Sequence, residues 1–253
     1  MKHILITNDD GIQAQGIRAL TDALQGLGRL SVVAPDREKS AAGHSITVHA
    51  PIKLEQVEYS GADEAWSIDG TPSDCVKLGI QTLMDKTPDL VVSGINFGPN
   101  LGTDVLYSGT VSAAIEGIIN GVPAIAFSLN THQEPDFTYA KKFIRKLVGR
   151  LFTQGLSQET LLNVNIPNLP QEEIKGVTIA KLGIRQYDNV FEHRKDPRGR
   201  SYYWLGGQLA TVENDDDSDV VAIGRGEVTV TPIHFDLTNY RLITELQKWG
   251  LEP

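Results

Sequence analysis

The stretch His3-Ile4-Leu5-Ile6-Thr7-Asn8-Asp9-Asp10-Gly11 carries an unbroken apolar run into two adjacent carboxylates and a glycine. A run that short and that uniformly apolar predicts a strand buried on both faces and closed by a turn. Gly16 to Leu27 then sets Ile17, Leu20, Leu24 and Leu27 on one face of a helix, and Leu30 to Ala34 returns as a second strand. Strand, helix and strand in this order form the unit of a parallel sheet, because parallel neighbours need a crossover between them.

The alternation continues. Ser73 is the expected N-cap of a helix with Asp74 in its first turn and Val76, Ile80, Leu83 and Met84 along its buried stripe. Leu90 to Ser93 reads as a strand, Thr110 to Asn120 as a helix stopped by Gly121, and Pro123 to Leu129 as another strand. Phe137 to Phe152 is amphipathic through Ala140, Phe143, Ile144, Leu147 and Leu151. The fold class predicted for residues 1–160 is α/β, a mostly parallel sheet flanked by helices.

Residues 161–253 have a different texture. Leu161 to Ile166, Val177 to Ala180, Tyr202 to Leu205 and Glu227 to Thr231 are short strand-like runs between Pro, Gly and charged segments, and a helix near Asn239 to Trp249 closes the chain. Glu192 to Arg200 carries Arg194, Lys195, Arg198 and Arg200, whereas Glu213, Asp215, Asp216, Asp217 and Asp219 crowd one acidic run. These excursions read as hairpin arms of a β-rich extension, whose opposite charges could pair within a molecule or between subunits.

Across the 253 residues, Lys plus Arg number 23 and Asp plus Glu 32, a formal charge of −9, of which the five carboxylates of the acidic run supply more than half. Without a basic face, a nucleic-acid duplex or an anionic membrane is not the expected partner. The single cysteine, Cys75, rules out an internal disulfide framework and fits a reducing compartment. The amino terminus does not read as a signal peptide, and no apolar stretch approaches the roughly 20 residues of a spanning helix, so a cytoplasmic protein is expected.

Ligands of an open parallel sheet bind beyond the carboxyl ends of its strands. Three such ends here lead into Asn8-Asp9-Asp10-Gly11, Pro35-Asp36-Arg37-Glu38-Lys39-Ser40 and Gly94-Ile95-Asn96-Phe97-Gly98-Pro99-Asn100. Two adjacent carboxylates repel each other unless a cation lies near, and oxygen donors select a hard divalent ion; the competing reading is an Asp turn that starts the next helix. Tyr107-Ser108-Gly109-Thr110 opens a helix and reads either as a phosphate site or as plain N-capping. Asn96 is a turn residue or a ligand at a strand end, and Gly43 and His44 share the loop of Ser40. Cys75 is expected to be buried and inert and His234 structural. No His-x-x-x-His, Cys-x-x-Cys, Gly-x-Gly-x-x-Gly or Gly-Lys pattern occurs, which excludes the common zinc, dinucleotide and P-loop fingerprints.

The longer motifs resemble the SurE family of survival-protein nucleotidases. They are Ile6-Thr7-Asn8-Asp9-Asp10-Gly11-Ile12, Val33-Ala34-Pro35-Asp36-Arg37 leading to Ser40, Gly70-Thr71-Pro72-Ser73-Asp74-Cys75-Val76, and Ser93 to Gly102 running into Asp104 to Val111, with Thr231-Pro232-Ile233 and Asp236-Leu237-Thr238 near the end. The resemblance implies a Rossmann-like core and a metal-dependent phosphatase acting on nucleoside monophosphates, with 3′-nucleotides and short polyphosphate as further candidate substrates. It implies one divalent cation per subunit, Mg²⁺, Mn²⁺ or Ca²⁺, on Asp9, Asp10, Ser40 and Asn96. It further implies a catalytic role for Asp9, Asn8 and Asn96, a phosphate held by Asn8, Ser40, Gly43, His44, Ser108, Gly109 and Thr110, and dimers or tetramers built through the carboxyl-terminal arms. Ala41 stands where the family often has glycine, which implies a stiffer loop. Two rivals remain at this point. A receiver-like signalling module also binds Mg²⁺ on acids after its first strand but needs a phospho-accepting aspartate at a central strand end, where this chain has Gly94 and Asn96. A nucleotide sensor would bind the same monophosphate without cleaving it.

Overall fold

The apolar run at the amino terminus becomes β1 (His3–Thr7), buried at every position. The computed structural model describes residues 1–188 and 190–251. After α1 (Gln15–Leu24), which buries Ile17, Leu20 and Leu24, the chain forms β2 (Arg29–Pro35), β3 (Leu54–Gln56), β4 (Glu64–Ile68) and α2 (Pro72–Leu78). Thr71 caps α2 in place of Ser73. Pro72 fills the first helical position, where no N–H is needed; Thr71 Oγ1 accepts from the Asp74 N–H at 3.1 Å, and the Asp74 carboxylate accepts from the Thr71 N–H at 2.9 Å.

β5 (Leu90–Phe97), α3 (Gly109–Ile119), β6 (Ala124–Asn130), α4 (Thr138–Gln154) and β7 (Leu161–Pro167) follow. β5 runs four residues beyond its expected end at Ser93. Its pairing with β6 shifts register between Ser93 and Asn96, where Gly94 has a φ of 128° and a Cβ would lie 2.2 Å from the Phe127 carbonyl oxygen. Only glycine passes that constriction, and passing it carries β5 on to Asn96 at the carboxyl end of the strand.

The remaining elements are β8 (Val177–Ile179), β9 (Tyr187–Asp188), β10 (Phe191–Lys195), β11 (Ser201–Leu205), β12 (Gln208–Leu209), α5 (Asp219–Gly224), β13 (Val228–Ile233) and α6 (Tyr240–Leu246). The main sheet has nine strands in the order β3-β4-β2-β1-β5-β6-β7-β13-β8. β7 pairs parallel with β6, and β13 antiparallel with β7, so the sheet continues past residue 160 and takes in part of the expected extension. α1 and α4 cover one face over Ile4, Ile6, Val92 and Phe127; α2 and α3 cover the other over Leu5, Val33, Val91 and Ala126.

The basic arm forms as the exposed hairpin β10–β11. Its charges pair locally, Arg194 with Glu192, while Asp215 and Asp217 of the acidic run pair with Lys181 at 2.5 and 2.9 Å. Among the described residues the two excursions make no ion pair with each other. Asp219 departs further from the expected loose arm: it is fully buried and accepts from the N–H groups of Gly102 and Gly183.

Candidate active site

The strand order places β1 between β2 and β5, with successive strands leading away on both sides, so a crevice opens where the loops after β1 and β5 diverge. Asp9 and Asp10 leave β1 at that point. Asp9 is 4% exposed, and its Oδ1 accepts from Thr110 Oγ1 at 2.6 Å. Thr110 stands in the first turn of α3, so Asp9 itself lies at the positive end of that helix. Burial nevertheless raises its pKa above the usual aspartate value. Burial, and then the charge of Asp9, raise Asp10 to about 7, against the Phe97 N–H that it accepts at 3.3 Å.

Ser108 is the N-cap of α3 and its Oγ accepts from the Val111 N–H at 3.1 Å, so capping and proximity to the acids coexist in one turn. Gly109 packs flat against Asp9: a Cβ there would stand 2.7 Å from the Asp9 Cβ and 2.8 Å from its Oδ2. Asn8 is fully buried, donates Nδ2 to the Gly11 carbonyl at 2.9 Å and has no partner for Oδ1. Asn96 donates Nδ2 to the Gly98 carbonyl at 2.8 Å, which turns its Oδ1 away from that contact.

The third loop comes from β2. The Lys39 N–H donates to the Asp9 carbonyl at 2.7 Å, Gly43 donates to the Tyr107 carbonyl at 3.1 Å, and Ser40 between them is exposed and gives its hydroxyl to Glu38 at 2.7 Å. His44 stands apart from the acid pair; its Nε2 lies 2.9 Å from Glu116 Oε2. Glu116, on α3, is 3% exposed and also takes Lys77 at 3.2 Å and Asn120 at 2.8 Å. Burial alone would raise its pKa, but the hydrogen bonds from His44, Asn120 and Lys77 outweigh burial and hold it below the usual glutamate value.

Glu38 and Glu116 were not among the expected site residues. Glu38 adds its charge to the pressure on both Asp9 and Asp10. The signal for it was its place in a strand-end loop; for Glu116 there was none beyond a lone acid on an Ala- and Ile-rich helix. Cys75 is fully buried, and burial pushes its thiol well above the usual range, which leaves it inert.

The donor set suits a hard cation. Two carboxylates repel at one strand end, the strand-end loops that carry Asn96 and Ser40 bond to Asp10 and Asp9 through the Phe97 and Lys39 N–H groups, and no ion pair among the described residues involves either acid. Among the described residues no cluster of three or more His, Cys, Asp or Glu side chains forms a metal cage, so a cation beside this pair would need neutral oxygens to complete its shell. No helix of the described residues is long and apolar enough to cross a membrane.

Residues 4–189 match the family model described as Survival protein SurE. The chain is 54% identical over 251 residues to the 5′-nucleotidase SurE of Carboxydothermus hydrogenoformans, covering 97% of this chain and 95% of that relative. It is 53% identical over 246 residues to the 5′-nucleotidase SurE of Syntrophomonas wolfei, covering 97% and 93%. The crystal structure of the Aquifex aeolicus SurE protein superposes with a TM-score of 0.85 at 43% identity, over 98% of this chain and 99% of that one. The crevice, its acid pair and these likenesses agree: the chain belongs to the SurE family.

Proposed function

We propose that the crevice hydrolyses nucleoside monophosphates to nucleoside and phosphate, with a divalent cation held by Asp9, Asp10, Asn96 and Ser40. The observation that carries this reading is the acid pair, Asp9 buried and docked on the amino end of α3 with half-buried Asp10 beside it, an arrangement that needs a cation and adjoins a turn suited to a phosphate. When bound, the cation offsets phosphate charge, polarises a P–O bond and orients a water. The Gly109 turn and the Ser40 loop line the place where phosphoryl oxygens would lie, and positioning of this kind supplies much of the rate in phosphoryl transfer. Asp9 is the base: the Thr110 hydroxyl fixes one oxygen, and the other takes the proton of the attacking water. This assigns Asp9 as base and not as nucleophile, and a labelled phosphoenzyme trapped by rapid quench would overturn that assignment. Ser40 must exchange Glu38 for the cation.

The test is phosphate release from a nucleoside monophosphate under Mn²⁺ or Mg²⁺. EDTA and Asp9→Asn should each abolish it with the circular dichroism spectrum unchanged, and near-normal turnover in Asp9→Asn would overturn the assignment. Binding without release would favour the sensor. The exposed Phe191, Tyr203, Trp204 and Leu205 of the β10–β11 hairpin support assembly through the arms, and a strict monomer in sedimentation at micromolar concentration would refute it. A cytoplasmic location belongs to the same reading, and cell fractionation tests it.

A further inference from the structure

We infer that His44 is a positioning residue that latches the Ser40 loop onto α3, the helix whose first turn holds Asp9. The inference rests on the cation site proposed above. The loop between β2 and β3 is stitched down at successive points: Lys39 N–H to the Asp9 carbonyl, Gly43 N–H to the Tyr107 carbonyl, His44 to Glu116, Thr71 Oγ1 to the Ser45 carbonyl, and the Thr47 N–H and hydroxyl to Asp74. Ser40 lies between the first two of these, is exposed, and has only the side chain of neighbouring Glu38 as partner for its hydroxyl. Its reach to the acid pair is therefore set by the stitches on either side of it.

Of these contacts, the one from His44 ties the loop by a side chain to α3, and its acceptor is buried and fully engaged. Glu116 is 3% exposed and takes Lys77 and Asn120 on Oε1, leaving Oε2 to His44. A carboxylate held from three sides cannot turn away, so His44 meets a fixed point. That point lies on the helix whose Thr110 grips Asp9. One rigid element thus registers two proposed cation ligands against each other: Asp9 through Thr110, and Ser40 through His44. Removing His44 leaves Glu116 with Lys77 and Asn120, so the charge is not stranded, and the loop beyond Ser45 keeps its bonds to Thr71 and Asp74.

The experiment measures Mn²⁺ affinity of the full-length, EDTA-stripped and dialysed protein by electron paramagnetic resonance. His44→Ala should weaken Mn²⁺ binding about tenfold, the low end of losses seen when groups supporting metal ligands are removed, with an unchanged melting temperature in EDTA. His44→Gln, which keeps an N–H for Glu116, should restore affinity to within about twofold. In a Ser40→Ala background, His44→Ala should cost nothing further, because its effect passes through Ser40. Equal affinity in the wild type and His44→Ala overturns the latch, as does a loss that persists undiminished in the Ser40→Ala background. Failure of the wild type to bind Mn²⁺, or full affinity in Asp10→Asn, overturns the cation site and the latch with it.

Discussion

Replacing Asp10 by asparagine should stabilise the metal-free protein while abolishing its activity, and the gain should depend on pH in a defined direction. Asp10 has its pKa raised from 3.8 to about 7 by burial and by the charge of Asp9. The folded state holds that proton more tightly than the unfolded chain does. Stability is therefore greatest below the unfolded value near 4, falls as pH rises towards 7, and is level above it. At about 1.4 kcal/mol per unit, the full shift corresponds to about 4 kcal/mol. Asp10 keeps partial contact with solvent, and halving for screening leaves about 2 kcal/mol. Asparagine removes the charge and can still accept the Phe97 N–H through its oxygen. In EDTA at pH 8 the variant should melt roughly 4–8 °C above the native protein, by the scaling for chains of this size. The gap should shrink steadily as pH falls from 7 to 5, and phosphate release should be lost at every pH. A variant no more stable than the native protein at pH 8, or a gap that ignores pH, would show that the acid pair is not under the electrostatic strain described.

Gly109→Ala puts a methyl group 2.7 Å from the Asp9 Cβ, so the acid must move; kcat for monophosphate hydrolysis should fall about a hundredfold, as for displacements of about 1 Å in an active site, with the fold intact by circular dichroism. Normal turnover would mean that Asp9 need not stand where it does. Ala41 adopts a φ of 54°, a conformation that costs an L-residue roughly 1–2 kcal/mol, whereas glycine gives back about 0.4–1 kcal/mol through its freer unfolded state. Ala41→Gly should therefore raise stability by about 0.5–1 kcal/mol, read as a higher urea midpoint at unchanged slope; a lower midpoint would contradict the strain.

The elements legible in the sequence are those whose burial imposes a period. β1, α1 and the apolar stripe of α4 lie close to where hydrophobic spacing puts them, because each buries a face along its whole length. β5 outran its expected end because Gly94 looks like a stop and is instead the residue that lets the strand squeeze past Phe127. β7 and β13 read as parts of a separate extension, since short strands between turns look alike whether they found a new sheet or complete an old one. Around the crevice, the strand-end positions of Asp9, Asp10 and Asn96 were legible. Their supports were not. Thr110 reaches Asp9 across 101 positions and His44 reaches Glu116 across 72, and no local pattern encodes contacts at such separations.

The charge of −9 likewise divides only once the chain is folded. Read along the sequence, the acidic run from Glu213 to Asp219 is one block that a solvated arm would carry. In the fold, Asp215 and Asp217 tie the run to Lys181, and Asp219 turns inward to accept from Gly102 and Gly183. Gly102 lies in the segment that joins Asn96, a proposed cation ligand, to Ser108 at the proposed phosphate turn. Burial raises the pKa of Asp219, against the backbone N–H groups bonded to it, so its place there costs desolvation that a free arm would avoid. What that cost secures is the course of the segment between β5 and α3. The acidity that read as part of an arm thus contributes one carboxylate to the frame of the crevice, while Asp9 and Asp10, which form no ion pair among the described residues, are left with charge that a metal ion can answer.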